Sequence, residues 1–484
     1  MSRRLALLLA SLVIIIIVSV TLWFGTPRLE EVSPADQAVD VAPETSLRLS
    51  FSRRMQAESV QERLSISPRV DGSFNWEGNE LVFTPDSPWQ AGQSVQVSLP
   101  SGARAAGLLP LAIQADNRWE FTVRQPRLAF LFPSDGAANI YLLEPGVGDR
   151  TGEVPPPLLQ ITDNPSGILD FDVEASGEAI YYSARVGQGG SAIYRLALTT
   201  PESAPIAILD CPQALCTSPR ISPNSDFLAY ERTAYPGANE PDYPRVWLLP
   251  LSVQKSAARE PAETPVVVTQ APYPVDDTQN QTLLPHWSPQ GLVTYYDSSQ
   301  KAFIALDPGS GQRYVFPNQT GEPGSWNPDG QVYVVPEILD NTVINPAPDP
   351  ANFPAVSSHL IRFNRLDGSS QDLTGAEDLE DASPAYSPDG GLLAFARKYL
   401  DVTRWTPGRQ LWLMGADGQD PHPVSNDPYF NHFNFAWDPE GTRIAYVRFN
   451  QTVPTDPPVI WLLDLDSGQT TQLVIGGYSP KWIP

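Results

Sequence analysis

One short word recurs along this chain and constrains its fold more than any other feature. It reads Tyr386-Ser387-Pro388-Asp389-Gly390 followed by Leu393-Ala394-Phe395, and again Trp437-Asp438-Pro439-Glu440-Gly441 followed by Ile444-Ala445-Tyr446. Looser copies stand at Ile221-Ser222-Pro223, Trp287-Ser288-Pro289-Gln290-Gly291 and Trp326-Asn327-Pro328-Asp329-Gly330, with a degenerate one at Val173-Glu174-Ala175-Ser176-Gly177. The last residues, Tyr478-Ser479-Pro480-Lys481-Trp482, repeat only its first half. Proline presets φ and glycine accepts a positive one, so each copy is a strand running into a tight turn. The apolar run that follows is the second strand of a hairpin. Most copies then lead into a further strand pair joined by a polar glycine turn, as from Val459 to Leu473.

Four short strands repeated every 40 to 60 residues or so predict an all-β chain whose main domain is a β-propeller, each blade burying its faces against its neighbours. These words resemble the WD40-like (PD40) repeats of TolB-type propellers over about residues 127 to 484. That resemblance implies a fold and says little about function. Motif starts near 171, 219, 285, 324, 384 and 435 mark blades, and a further blade is predicted to be split between the two ends. Leu128 to Phe132, Asn139 to Leu143 and Leu158 to Ile161 lack an inner strand, while Tyr478 to Ile483 is an inner strand without a blade. Pairing them closes the ring and leaves no open edge. Seven blades are therefore expected. Six is the alternative, because the copy at Val173 is weak and TolB itself has six.

With 51 Pro and 33 Gly but 41% hydrophobic residues, the composition suits many short strands joined by turns and excludes a disordered chain. A net charge of −24 excludes a nucleic-acid partner, because phosphate binding needs a basic surface. Cys211 and Cys216 are spaced C-x4-C with no histidine nearby, a poor zinc site. By analogy with secreted domains they are expected to form a loop disulfide, with two free thiols as the alternative.

At the amino terminus, Leu5 to Gly25 carries no charge and follows Arg3-Arg4. At 1.5 Å rise per residue it crosses a hydrocarbon core of roughly 30 Å. Trp23 and Phe24 stand at interface height instead of a small-residue cleavage site. Residues 1–25 are thus expected to be an uncleaved single-pass anchor with a cytoplasmic tip and all that follows outside, the alternative being a cleaved signal peptide. Residues 26–125 alternate in Leu47-Arg48-Leu49-Ser50-Phe51, Glu80 to Thr84, Ser94 to Leu99 and Trp119 to Val123, the pattern of a small β-sandwich. Val32-Ser33-Pro34-Ala35-Asp36, Val82-Phe83-Thr84-Pro85 with Trp89-Gln90-Ala91-Gly92, and the closing Trp119-Glu120-Phe121-Thr122-Val123 resemble the bacterial Ig-like domain first named from the SbsA surface-layer protein. The resemblance implies a spacer or adhesion module, here a stalk, without chemistry of its own. Gln125-Pro126 joins it to the propeller of residues 126–484.

In a propeller the first-to-second and third-to-fourth strand turns share one face. That set is tight, as in Pro388-Asp389-Gly390 and Asp466-Ser467-Gly468, while the other face holds long insertions: Thr233 to Pro244, Ala271 to Pro285, Ile338 to Ser357, Lys398 to Arg409 and Asn450 to Pro458. Long loops are where binding is usually built, and these carry Tyr235, Tyr243, Tyr273, Phe353, Tyr399 and Trp405, suited to a peptide or glycan. Counted from the hairpin turn, Arg232, Arg397 and Arg448 occupy one position, with Arg185 one residue off and Asp297 in the equivalent place of another blade. Such a ring can hold an anion bidentately. The alternative is pairing with acidic neighbours such as Glu231 or Asp401. His286 begins an inner strand and is placed to line the channel.

No G-x-S-x-G elbow occurs, and His286, His359, His422 and His432 lack H-x-x-x-H spacing. No metal, cofactor or catalytic residue is assigned. The reading is a membrane-anchored extracytoplasmic protein that binds a protein, peptide or glycan through its long-loop face. The alternatives are a propeller-type lyase or hydrolase acting on an extracellular polymer, and a structural cell-envelope protein.

Overall fold

The computed structural model describes residues 26–107, 111–144, 157–187, 189–198, 204–237, 240–253, 266–268, 270–276, 278–344, 355–375 and 378–484. Leu5 to Gly25 lies outside them, and among the described residues no helix is long and apolar enough to cross a membrane. The chain divides into two compact units, Met1–Gln125 and Pro126–Pro484.

The first unit holds two four-stranded sheets. One orders Leu29–Ser33, Leu47–Phe51, Glu80–Pro85 and Gly72–Glu77; the other orders Ala38–Val41, Asn117–Val123, Ser94–Leu99 and Ser65–Ser67. Strict alternation puts Leu47, Leu49 and Phe51 of one strand and Val95, Val97 and Leu99 of another into a common core around Trp89. A five-residue helix, Ala57–Gln61, adds Val60 to that core.

In the second unit the final strand, Tyr478–Ile483, pairs antiparallel with Arg127–Phe132, and Asn139–Leu143 and Leu159–Gln160 complete that sheet. Further sheets follow in chain order, each starting on a strand that meets the turn word: Ile168–Val173, Ala214–Ile221, Thr282–Trp287, Ser325–Trp326, Leu379–Tyr386 and Phe430–Trp437. The sheets begun by Ser325–Trp326 and Leu379–Tyr386 are joined by a single parallel pair, Ser358 with Glu380, into one of eight strands.

Each sheet buries its faces against the next. Ala129 and Leu131 meet Phe171 and Ile180; Tyr181 meets Tyr230; Leu248 meets Tyr295; Phe303 meets Tyr333; Val334 meets Phe395; and Leu413 meets Tyr446. The series returns to its start where Val447 and Ile460 pack on Leu128 and Phe130. Sheets that pack only on their neighbours and come back to the first form a β-propeller.

The turn word has a packing reason as well as a conformational one. Ser387 Oγ accepts the Leu392 N–H at 2.9 Å and donates to Asp389 at 2.6 Å, closing the turn. Gly390 sits at φ 73°, and a Cβ there would lie 3.1 Å from the Pro328 ring of the preceding turn. At this turn glycine serves both the positive φ and the close approach of the neighbouring proline.

The first strands also carry a feature not expected from the sequence. Their register shifts between Thr217 and Arg220, Leu283 and His286, Ala382 and Ala385, Phe433 and Ala436, and Tyr478 and Lys481. Within these bulges Ser218, Leu284, Ser383, Asn434 and Ser479 adopt φ between 51° and 56°. The expected loop Ile338 to Ser357 is in part strand, because Val332–Ile344 and Ala355–Asn364 continue pairing through Val343 with Val356. Phe353 lies outside the described residues.

Candidate functional site

The register arginines Arg232, Arg397 and Arg448 share one environment. Each stacks on the tryptophan of the adjacent strand and pairs with a carboxylate. Arg397 is buried, bonded to both oxygens of Asp381 at 2.8 and 2.7 Å, with its guanidinium 5.1 Å from the Trp412 ring. Arg448 lies 3.8 Å from the Trp461 ring and pairs with Asp427. Arg232 lies 5.9 Å from Trp247 and grips Glu240 at 2.8 and 3.1 Å. The anion-binding ring is thus replaced by three separate ion pairs. Glu231 and Asp401 are not their partners: Glu231 accepts the Leu284 N–H at 2.8 Å, and Asp401 holds Arg404 at 2.6 Å. Asp297 is buried and receives Asn280 and Gln300 at 3.0 and 2.7 Å. Arg185 is exposed at the end of Ala179–Val186.

Of the loop aromatics, Tyr235, Tyr399 and Trp405 are half-buried and Tyr273 is exposed. Tyr399 lies 3.8 Å under the Arg404 guanidinium, Trp405 lies 5.0 Å from Lys398, and Tyr235 holds its backbone N–H on Gln213 at 2.9 Å. Cys211 and Cys216 form a disulfide that ties the outer strand Ile206–Pro212 to the first strand of the next sheet.

His286 stacks on Tyr333, ring centroids 5.7 Å apart, and meets Phe303 edge-on at 5.8 Å. Its Nδ1–H donates to the Leu284 carbonyl at 3.0 Å, so Nε2 accepts from the Tyr333 hydroxyl at 3.1 Å, which in turn accepts the Gly324 N–H at 2.9 Å. Burial pushes the imidazole down to about 4. It is a neutral relay member at ordinary pH.

Where side chains do gather is the mouth of the channel, a cavity of about 540 Å³. Its walls come from the first strands of several sheets, with Arg220, Asn434, Ser479 and Lys481 contributed from their bulges. Arg220 reaches Asp170 of the preceding sheet at 2.9 Å, and Lys481 reaches Asp172 across the closing blade at 2.6 Å. Asp172 also accepts the Ile221 N–H at 3.0 Å. Trp437 and Trp482 flank the cavity, their indole N–H groups donating to carbonyls of the preceding sheet, Ala385 and Ala436, at 3.0 and 2.9 Å. Asn434 and Ser479 complete the wall. Pro388 and Pro439 put this mouth on the tight-turn face, opposite to the long loops. The sequence signal is a second proline ahead of the turn proline: Pro219-Arg220 before Pro223, Pro480-Lys481 at the end.

Residues 25–123 match the bacterial Ig-like domain family. The chain is thus an Ig-like domain of bacterial type followed by a β-propeller. Similar solved structures include TolB from Acinetobacter baumannii, 12% identical over 89% of this chain and 86% of that one with a TM-score of 0.42. A putative TolB from Agrobacterium tumefaciens is 17% identical over 73% and 91%, TM-score 0.37. The β-propeller domain of the Trilobed protease from Pyrococcus furiosus is 14% identical over 63% and 82%, TM-score 0.44.

Proposed function

We infer that this is a membrane-anchored interaction protein working outside the cytoplasm, held by Leu5 to Gly25 and binding its partner on a seven-bladed propeller. The blade count takes the eight-stranded sheet as two blades, since one residue pair alone joins its halves. The observation that carries the binding reading is the channel mouth. An open cavity of about 540 Å³ presents paired charges and the half-buried Trp437 ring fixed on strands rather than on loops, the arrangement that preorganises a binding site. Placement outside the cytoplasm is supported by Arg3-Arg4 ahead of the apolar run, and by the Cys211–Cys216 bond, which persists in oxidising compartments. The Ig-like domain, next in the chain, serves as the spacer.

Capture from a bacterial envelope extract by the tagged full-length chain in detergent tests the binding function. One protein or glycan component should be retained specifically, and the propeller should be digested by protease added to intact spheroplasts. Protection from that protease, or no retained component, refutes the proposal.

A further inference from the structure

We propose that the channel mouth is a saccharide site whose ligand is the end of an uncharged glycan. This rests on the propeller being a binding module and names what the module takes. The first argument is charge. Both cations of the cavity wall are already matched, Arg220 with Asp170 at 2.9 Å and Lys481 with Asp172 at 2.6 Å. A ligand carrying net charge would leave one charge unpaired in a partly desolvated cavity, which is costly. The chain's net charge of −24 further opposes an anion. A neutral polyol meets neither obstacle, because its hydroxyls donate to the carboxylates while accepting from the ammonium and guanidinium groups.

The second argument is the wall itself. Lys481 has three donors for its one carboxylate partner, and the exposed Asn434 offers an amide and Ser479 a hydroxyl from neighbouring bulges. Trp437, half-buried, is pinned through its indole N–H, so the exposed part of its ring can meet the C–H face of a sugar at little entropic cost, while Trp482 is 8% exposed under Arg443 and serves as backing. A volume of about 540 Å³ admits one or two sugar rings and lies within the common range of about 300–1,000 Å³ for ligand pockets.

Calorimetry on the full-length chain in nanodiscs, with maltotriose, cellotriose, mannotriose, chitotriose, trigalacturonate and a trialanine peptide, tests this. At least one neutral trisaccharide should bind, with an affinity unchanged between about 50 and about 500 mM salt. Asn434→Gly, which suits φ 53° at that position, should weaken binding about fivefold to tenfold, as loss of one or two hydrogen bonds requires, with an unchanged melting temperature. Val315→Ala, 55% exposed on an outer strand, should leave binding as it was. Preference for trigalacturonate or the peptide, no neutral saccharide bound, or indifference to Asn434→Gly overturns the assignment. A component captured from envelope extract alongside such a result removes the glycan alone and leaves the binding function standing.

Discussion

Replacing Arg397 by methionine decides whether the register arginines hold the fold or a ligand. Arg397 and Asp381 are 4% and 0% exposed, joined by two short bonds between the rings of Phe395 and Trp412. Methionine keeps most of the apolar stem between those rings and leaves the Asp381 carboxylate buried without its countercharge, the Thr374 hydroxyl at 2.7 Å being a weak substitute. Stranding one member of a buried pair costs about 3–5 kcal/mol, a rise of roughly 10² to 10⁴ in the unfolding constant. Arg232→Met is the internal comparison. Its partner Glu240 is 42% exposed, so the same change should cost about 0–1 kcal/mol. Adding Asp381→Asn to Arg397→Met should recover most of the loss, because the amide needs no countercharge. Urea unfolding followed by tryptophan fluorescence reads all of these. If Arg397→Met lies within about 1 kcal/mol of the native chain while capture of the envelope component is lost, the structural assignment is refuted and the arginine returns to the binding site.

Two further outcomes follow from buried groups. Cys211→Ala/Cys216→Ala should cost about 2 kcal/mol, as expected for opening a very short loop, and a reductant should destabilise the native chain to the same level without affecting the variant; a native chain indifferent to reductant would contradict this. His432 is fully buried, donates from Nδ1 to the Arg409 carbonyl at 2.9 Å, and is pushed down to about 4 by burial. The unfolded chain protonates this residue below about pH 6.5 and the folded chain does not, so stability falls as pH drops from there towards 4, by roughly 3 kcal/mol in all. His286, depressed in the same way, contributes a similar share, so His432→Gln should roughly halve the slope of the urea profile between pH 7 and 4.5, and an unchanged slope would show that other groups carry it.

The fold was legible because its rules are local. Pro388 and Gly390 define a turn whatever surrounds them, and the alternation of Leu47, Leu49 and Phe51 marks a strand facing a core. The tail's half-copy of the word was enough to pair it with Arg127–Phe132. The bulges were not legible on the same terms. Proline argues against a strand interior, yet Pro219, Pro285 and Pro384 each sit inside a first strand, just after a residue of positive φ. Leu284 at φ 56° is a conformation that no propensity favours. It persists because the Glu231 carboxylate and the His286 ring engage its N–H and C=O from two sides.

The site was half legible for a related reason. Counting from the turn located Arg232, Arg397 and Arg448 correctly on their strands, but their partners come from three unlike places: Glu240 in the loop after the strand, Asp381 on the strand before it, and Asp427 on an approach from the neighbouring sheet. Sequence distance carries no trace of that choice. The channel pairs are more remote still, since Lys481 meets Asp172 across 309 positions. Ring closure nonetheless makes them predictable in principle, because it sets equal positions of successive first strands side by side. The same counting applied to the residue behind each inner proline, rather than to the end of the second strand, selects Arg220, His286, Ala385 and Lys481, of which Arg220 and Lys481 line the cavity. In a propeller the first strands are shared by one cavity while the second strands are each confined between two sheets. Charges in register on the first can therefore act together, and charges in register on the second become separate packing pairs.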